Sequence, residues 1–491
     1  MQAQNVPHFD VLIIGAGLSG IGAGVHLHTR CPSKTFAILE GRAALGGTWD
    51  LFRYPGIRSD SDMYTLGYSF KPWTNAKAIA DGPAILEYIQ ETAVEYGIDR
   101  KIRFGHRVRH ASWSSETARW TVDVAVNDGP DVTQFTCGFL FACAGYYDYD
   151  AGYTPTFEGV SDYAGKLVHP QHWPAELDTK GKRIVVIGSG ATAVTLVPEL
   201  AKEAAHVTML QRSPTYVITL PEEDHVAQAL QSKLPSKAAY RITRAKNVLR
   251  SMAFFSFSRR YPKQAKNYIV GEVKKALGEE LTTKHFTPTY NPWDQRVCVV
   301  PEGDLFQSVK QGRASIVTDH IDRFTETGLL LRSGERLDAD IIVTATGLQL
   351  KFLGGVTLDV DGRRIDPSET TTYKAMMLSD VPNLALSIGY TNASWTLKCD
   401  LTCEYVCRLL EYMDARGLDS CVPIRRPEDS EAVPLLDFSS GYVQRAIDRF
   451  PKQGSVAPWR VYQNYILDRI ALRHAKLDDG AMHFTARKGS R

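Results

Sequence analysis

Two short apolar runs near the start of the chain predict β-strands that are buried on both faces. The first run covers Phe9–Ile14 and the second covers Phe36–Leu39. Continuous runs of this kind, rich in β-branched and aromatic residues, are typical of parallel strands that helices cover. The first run leads directly into a turn with the GxGxxG spacing, formed by Gly15, Gly17 and Gly20. A buried strand followed by this turn predicts an α/β unit.

The residue types in this unit suit the binding of a dinucleotide. The glycines permit a tight turn, a close approach of backbone N–H groups to a pyrophosphate, and close packing of the next helix on the strand. Glu40 ends the second apolar run, where a carboxylate can accept hydrogen bonds from a ribose diol. The turn alone would be weak evidence, but strand, turn and Glu40 together predict a dinucleotide site.

The same pattern recurs in a second unit with a GxGxxA turn, which has alanine at the helix-packing position. Its strand and turn are Arg183–Ile187, Gly188, Gly190 and Ala193. After a strand-like run at His206–Leu210, Arg212 occupies the ribose position that Glu40 holds in the first unit. A guanidinium can pair with a 2′-phosphate that a carboxylate would repel, so NADP(H) is predicted rather than NAD(H). The alternative is a solvated surface arginine.

Each unit closes with an apolar strand that ends in small residues, Phe139–Gly145 and Ile341–Gly347. The sequence therefore predicts an α/β fold with two Rossmann-like dinucleotide-binding domains, the first for FAD and the second for NADPH, and a helical insertion. The predicted ranges are 1–158 for the first part of the FAD-binding domain, 159–220 and 289–347 for the NADPH-binding domain, 221–288 for the insertion, and 348–491 for the return segment and tail.

The composition of the chain excludes several classes of protein. The 491 residues are 44% hydrophobic and 23% charged, which is typical of a folded chain of two or three domains. The 57 Lys and Arg against 55 Asp and Glu are too balanced for a nucleic-acid-binding surface. No apolar run is long enough to span a bilayer, and the N-terminus does not resemble a signal peptide. These features predict a cytoplasmic protein that binds no nucleic acid.

The eight cysteines contain no CxxC pair, which favours reduced thiols. Cys399, Cys403 and Cys407 recur every four residues, so on a helix they would share one face. Two interpretations are a row of metal ligands and ordinary packing of small apolar side chains. Packing is preferred and no metal site is predicted, because no histidine or fourth cysteine follows at a metal-site spacing.

The insertion is strongly basic. Lys233–Lys275 holds 12 Lys or Arg and one acidic residue, Glu272, interleaved with aromatic residues. The preferred interpretation is a helical cap over the cleft with a solvated basic side. The alternative is a face that contacts a membrane surface or a partner.

FAD together with NADPH serves either disulfide reduction or oxygen activation. Disulfide reduction needs a cysteine pair beside the flavin, yet no cysteine lies between Cys31 and Cys137. The segment after Glu40 instead contains Gly47, Thr48 and Trp49. Oxygen activation is favoured by elimination.

A segment just before the second glycine turn resembles the FxGxxxHxxxWP fingerprint of type I Baeyer–Villiger monooxygenases. The matching residues are Tyr163, Gly165, His169, Trp173 and Pro174, with Tyr163 in place of the phenylalanine. Further similar segments, spread over nearly the whole chain, are Gly46–Trp49, Arg53–Gly56, Asp60, Gln211–Arg212 and Ala345–Gly347. Within the family, the chain most resembles the mycobacterial ethionamide-activating branch.

This resemblance implies a catalytic pair. The catalytic arginine of the family falls on Arg296, where it would stabilise a C4a-peroxyflavin and then the negative charge of the adduct with a ketone. Asp60 would hold that guanidinium. The family often has lysine before this arginine and the chain has Gln295, so Arg212 would carry more of the preference for NADPH.

The resemblance implies other roles as well. A hinge role is favoured for His169 over general acid catalysis or a buried hydrogen bond, because it lies between two domains that must move. Trp49 and Trp173 are expected to pack or to form the cleft wall. Asn392–Lys398 resembles the segment that covers the flavin ring in the family.

The predicted function is FAD- and NADPH-dependent insertion of one oxygen atom of O2 into a ketone to give an ester, with sulfoxidation as a side activity. Two alternatives stay open. One is an N- or S-oxygenating flavin monooxygenase, from which Trp173, Pro174 and Arg296 would distinguish this chain. The other is a non-catalytic flavoprotein that senses NADP(H) or binds a partner through the basic insertion.

Overall fold

A computed structural model describes residues 6–426, 431–436 and 438–486, which two β-sheets organise. The parallel part of the first sheet has the strand order Leu384–Leu386, Val132–Ala142, His8–Ile14, Phe36–Leu39 and Ile102–Arg103. An extension beyond Val132–Ala142 adds, in order, Arg119–Val126, His106–Ser114, Thr357–Val360 and Arg363–Ile365. The strands predicted near residues 9 and 36 therefore lie side by side at the centre.

The strand Val132–Ala142 links the two parts of this sheet. Its first half pairs antiparallel with Arg119–Val126, and buried residues alternate there with more exposed ones. Its last four residues are all buried and pair in parallel with His8–Ile14 and Leu384–Leu386. The sequence pattern identified only the second half, because a strand covered on both faces reads as a continuous apolar run.

The second sheet contains five parallel strands. Their order is Ala314–Thr318, His206–Gln211, Arg183–Ile187, Ile341–Thr344 and Lys166–Val168. All five fall in the ranges 159–220 and 289–347. A three-stranded antiparallel sheet follows Ala314–Thr318 in the chain, and its strands are Ile321–Thr325, Gly328–Leu331 and Arg336–Asp338.

Helices cover both sheets. Those of the two domains are Leu18–Arg30, Thr48–Leu51, Met63–Leu66, Gly82–Glu95, Ala191–Leu200, Asp304–Lys310, Trp395–Arg416, Gly441–Gln444 and Tyr465–Arg473. Those of the insertion are His225–Gln231, Ser236–Arg260, Pro262–Leu277 and Glu279–His285. The predicted fold class, two Rossmann-like domains with a helical insertion, is confirmed.

Short ribbons complete the fold. Their paired strands are Tyr147–Gly152 with Leu348–Leu350, Val217–Leu220 with Cys298–Pro301, Thr372–Tyr373 with Met377–Leu378, Ser420–Pro423 with Met482–Thr485, and Ala432–Pro434 with Lys452–Gly454. The first ribbon is where the chain leaves the first domain and later returns to it. It therefore forms the covalent connection between the two domains.

The cysteine row lies on the helix Trp395–Arg416, which packs against Leu18–Arg30 in the core of the first domain. Cys399, Cys403 and Cys407 are all buried, as the packing interpretation expects. Within the residues described, no helix combines the length and apolarity that crossing a membrane requires. The cytoplasmic location stays a prediction.

The insertion is fixed to the side of the first domain. Arg244 of Ser236–Arg260 is buried, donates hydrogen bonds to the carbonyl oxygens of Tyr64 (2.9 Å) and Gly67 (2.7 Å), and lies 3.2 Å from a carboxylate oxygen of Asp400. Such buried charge pairs hold only when hydrogen bonds satisfy both partners, as they do here. Through Arg244, the insertion therefore packs beside the cleft, against the first domain.

Candidate active site

A cavity of about 950 Å³ opens between the two domains, at the carboxyl ends of both parallel sheets. Ligands of doubly wound folds bind at this edge, where the strand order reverses. Eleven of the residues predicted from the sequence line it: Gly15, Gly17, Glu40, Gly47, Thr48, Trp49, Asp60, Gly188, Gly190, Arg212 and Arg296. The described lining contains no residue of 221–288, so the expectation of a helical cap over this cleft is wrong.

The first glycine turn has the geometry of a pyrophosphate site. Gly15 adopts φ +96°, and a Cβ atom on Gly20 would lie 1.8 Å from the carbonyl oxygen of Gly15. Packing within the chain therefore requires glycine at both positions. A Cβ atom on Gly17 would meet only Gly47, at an ordinary 3.5 Å. The space in front of Gly17, at the start of the helix Leu18–Arg30, is free for a bound phosphate group.

The second turn repeats this arrangement. Gly188 adopts φ +138°, and its Cβ atom would lie 2.3 Å from the carbonyl oxygen of Ala345. A Cβ atom on Gly190 would meet no described atom within 4 Å, and Gly190 directly precedes the helix Ala191–Leu200. Ala193 is fully buried in the second core. Both turns therefore leave an open cradle at their middle glycine, which fits two dinucleotide cofactors.

Glu40 is held at the end of its strand by two backbone groups. Its carboxylate oxygens accept hydrogen bonds from the N–H groups of Ala16 (2.7 Å) and Arg42 (2.8 Å). Glu40 lines the cavity, and each carboxylate oxygen can accept a further hydrogen bond, as from a ribose hydroxyl. Burial raises the pKa of Glu40, while the two N–H groups and Arg42 oppose that shift.

Arg212 follows the strand His206–Gln211 and lines the cavity with an exposed side chain. Among the residues that the structure describes, no acidic group pairs with its guanidinium. A free guanidinium at the ribose end of the second turn fits a 2′-phosphate.

Residues Gly47 to Trp49 shape the floor of the first turn. Gly47 adopts φ +57° and precedes the short helix Thr48–Leu51. The hydroxyl of Thr48 lies 3.2 Å from the hydroxyl of Tyr149, and burial raises the pKa of Tyr149 to about 12. Trp49 packs against the first core and also faces the cavity. Trp49 thus has both of the features expected from the sequence, packing in the core and a place in the cleft wall.

Arg296 and Asp60 form an ion pair across the domain boundary. An Nη atom of Arg296 lies 2.7 Å from a carboxylate oxygen of Asp60, and the Arg296 side chain is 36% exposed to the cavity. The negative charge of Asp60 raises the pKa of Arg296, so the guanidinium is permanently charged. Tyr146 and Tyr442 line the same part of the cavity, and burial raises the pKa of Tyr442 to about 12.

The segment that carries Arg296 is anchored through Asp294. The Asp294 carboxylate accepts hydrogen bonds from Arg259 of the insertion (2.8 Å) and from the backbone of Asn291 (3.1 Å). Its carbonyl oxygen accepts from the hydroxyl of Ser439 (2.8 Å). The preceding residue, Trp293, adopts φ +71°, a conformation that persists only where surrounding contacts hold it.

The fingerprint residues lie outside the cavity. The hydroxyl of Tyr163 donates to the carbonyl of Ala339 (3.0 Å), and a Cβ atom on Gly165 would lie 2.3 Å from that hydroxyl. Trp173 packs against the second core, and Pro174 is exposed. These residues therefore shape the second domain and its edge, with no contact to the cavity itself.

His169 contacts the ribbon that joins the domains at Gly152 of its first strand and at Gly347, directly before its second strand. Its Nδ1 atom accepts from the backbone N–H of Gln171 (3.1 Å), so its Nε2–H donates to the carbonyl of Gly347 (3.3 Å). A Cβ atom on Gly152 would lie 1.9 Å from the imidazole ring. Burial lowers the pKa of His169, which favours this neutral form.

Several cavity residues were not identified from the sequence. Arg58 forms an ion pair with Asp304 of the second domain (2.5 Å), close to the pair of Arg296. Arg445 stacks over the ring of Tyr153 at 3.4 Å from its centroid. The run of tyrosines after the first closing strand was a usable signal for an aromatic wall. No sequence signal indicated Arg445, because it lies far along the chain from the motifs of both glycine turns.

The sequence was compared with family models and with characterised proteins. Residues 79–388 match the model of flavin-binding monooxygenase-like proteins, and residues 13–81 match an NAD(P)-binding Rossmann-like domain. The chain is 54% identical to the FAD-containing monooxygenase EthA of Mycobacterium tuberculosis over 482 residues, 98% of each chain. It is 53% identical to EthA of Mycolicibacterium smegmatis over 485 residues, again 98% of each.

The chain belongs to the flavin-binding monooxygenase family. The resemblance to type I Baeyer–Villiger monooxygenases stated from the sequence is thereby confirmed. Two solved structures share the fold of this monooxygenase, an oxidised steroid monooxygenase bound to NADP (TM-score 0.76, 22% identity) and an open form of cyclohexanone monooxygenase (TM-score 0.76, 19% identity). Each alignment covers 98% of this chain and 100% of the other.

Proposed function

We propose that this monooxygenase inserts one oxygen atom of O2 into a ketone to give an ester, with FAD and NADPH as its cofactors. In the balanced reaction, ketone, O2, NADPH and a proton give ester, NADP+ and water. FAD, when bound, would supply the transfer of electrons from NADPH to dioxygen. The observation that carries the proposal is the Arg296–Asp60 ion pair in a cavity that both glycine turns face.

The residues of the chain support separate parts of this proposal. Glu40 would bind the ribose of FAD, and Arg212 would bind the 2′-phosphate of NADPH, since each faces the cavity beyond its own glycine turn. Arg296 would stabilise the negative charge that develops on the oxygen of the ketone during attack. Asp60 would fix the direction of its guanidinium. The aromatic side chains of the wall would exclude water.

Sulfoxidation is proposed as a side activity of the same site. Oxygen transfer to a sulfide creates no oxyanion on the substrate, so it depends less on Arg296 than ester formation does. A comparison of the two reactions in one variant therefore separates a role of Arg296 in ketone chemistry from a general role in oxygen activation.

The variant Arg296→Ala tests the proposal. Ester formation should fall at least about 100-fold, as when a charge-stabilising group is removed from an active site, while FAD stays bound and reducible by NADPH. Arg53→Ala is a matched control, because Arg53 is an exposed arginine in the segment that leads to Asp60, and it pairs with Asp50. Ester yields like those of the unmodified enzyme from Arg296→Ala would remove Arg296 from the mechanism.

A further inference from the structure

Two helices of this monooxygenase expose an unusual number of large apolar side chains. On the helices Ser236–Arg260 and Tyr465–Arg473, six such residues are between 42% and 57% exposed: Ile242, Leu249, Phe257, Ile466, Leu467 and Ile470. Within each helix, the spacing places these residues on one side. Neighbouring exposed apolar side chains of this kind favour an interaction surface.

The two helices meet in one small hydrophobic cluster. Val248 and Met252 of the insertion and Tyr465 at the start of the last helix belong to it, together with Tyr390 and Leu397. The exposed side chains therefore lie on either side of a shared core. We call the six exposed apolar residues, with the arginines beside them, the docking face.

The exposed charges on the two helices of the docking face are all positive. Arg241, Arg250 and Arg469 are exposed, and none has an acidic partner in the described part of the chain. Neither helix carries an exposed carboxylate, since the single acidic residue of both, Asp468, is buried and lies 3.1 Å from the ammonium of Lys398. Apolar residues flanked by unpaired arginines are typical of surfaces that lie on a bilayer with anionic lipids.

A second copy of the chain fits this face less well. A symmetric contact would bring like charges together, because each arginine would approach the same surface of the other copy. Juxtaposed like charges oppose association, whereas anionic headgroups neutralise them. The charge pattern therefore favours a lipid surface.

The docking face lies behind one wall of the cavity. The hydroxyl of Tyr390 donates to Asp468 of the last helix (2.7 Å), and the side-chain amide of Asn392 donates to the carbonyl of Gln463 (2.9 Å). Tyr390 and Trp395 line the cavity itself. The segment between them connects the last helix directly to the cavity wall.

We propose that the docking face binds the surface of a bilayer that contains anionic lipids. A consequence, which rests on the proposed function, is that apolar ketones and sulfides dissolved in the bilayer are within reach of the cleft. Docking itself requires no turnover, so a measurement of binding tests it even if the proposed reaction is wrong.

The experiment is co-sedimentation of the FAD-loaded enzyme with vesicles. We expect binding to vesicles of phosphatidylcholine with phosphatidylglycerol to be at least about tenfold tighter than to phosphatidylcholine alone. The triple variant Leu249→Ser, Ile466→Ser, Ile470→Ser should lose about tenfold or more of that binding. The double variant Val94→Ser, Val132→Ser, which changes equally exposed residues elsewhere, should bind as the unmodified enzyme does.

Retained FAD absorbance shows that each variant has folded. The proposal is overturned if the triple variant binds anionic vesicles as well as the control does, or if the unmodified enzyme binds neither vesicle. It is also overturned if the triple variant instead changes the oligomeric state in size-exclusion chromatography without lipid, since the face would then be a contact between copies.

Discussion

The electrostatics of the cleft depend on a few individual charges. Arg296 keeps its charge because Asp60 lies 2.7 Å away, and both groups are only partly exposed. Glu40 and Arg212 lie beyond the two glycine turns and are opposite in charge. In the proposed function, this difference in charge distinguishes the site for FAD from the site for NADPH.

Replacing Arg212 tests the preference for NADPH. Arg212→Ala should raise the KM for NADPH about tenfold to a hundredfold, because charge-assisted hydrogen bonds to the 2′-phosphate are lost. The KM for NADH should hardly change. Steady-state kinetics with both cofactors measure this, with Arg313→Ala, an exposed arginine of the same domain, as the control. An unchanged preference for NADPH would place the 2′-phosphate site elsewhere.

His169 makes the stability of the hinge dependent on pH. Burial lowers its pKa below the ordinary value of 6.5, so the unfolded chain binds this proton more readily than the folded one. Folding stability must then fall as the pH drops below about 6.5. The Tm of the unmodified enzyme should decrease more between about pH 7.5 and pH 5.5 than that of His169→Gln. Equal decreases in thermal unfolding curves would show that the imidazole does not contribute.

The sequence identified candidate site residues where they lie a short, fixed number of positions from a recognisable motif. Glu40 and Arg212 follow their turns at fixed distances within one βαβ unit, so the chemistry of the residue sufficed to find them. Arg296 was identified only by resemblance, because its partner Asp60 lies more than 200 residues away in the chain. Arg445 and Tyr442 reach the cavity from the last sixth of the sequence, and no local pattern could place them.

The element that positions Arg296 is a short segment held by two distant parts of the chain. Asp294 accepts hydrogen bonds from Arg259 of the insertion and from Ser439 of the return segment. The insertion therefore acts on the site from outside the cavity. The helices of the insertion were predictable from their apolar periodicity. The side on which they pack depends on the buried Arg244, and the sequence does not distinguish this residue from the other basic residues around it.

Loosening this segment should impair catalysis without unfolding the enzyme. Arg259→Gln should lower kcat for ester formation about three- to tenfold, since misplacement of a charge-stabilising group is costly. The free energy of unfolding should change by less than about 1 kcal/mol, as is usual for an exposed pair. Lys275→Gln, which breaks an exposed pair with Glu272 in the same insertion, is the control. If both variants have the same kcat, Asp294 does not anchor the segment through Arg259.

On the scale of the whole molecule, a ribbon and ion pairs among the described residues bridge the cleft. The ribbon of Tyr147–Gly152 and Leu348–Leu350 carries the chain between the domains, and His169 contacts Gly152 and Gly347 at one end of it. The ion pairs Arg58–Asp304 and Arg296–Asp60 join the domains at the cavity. A relative motion of the domains would bend the ribbon and strain the ion pairs together.

In the proposed function, both dinucleotide sites and Arg296 act together to insert oxygen into a ketone. The most direct test is mass spectrometry of the product formed from a methyl ketone with the FAD-loaded enzyme, NADPH and isotopically labelled dioxygen. We expect an ester that contains one labelled oxygen atom, with one NADPH oxidised per ester. Unchanged ketone, with NADPH consumed only to form hydrogen peroxide, would contradict it.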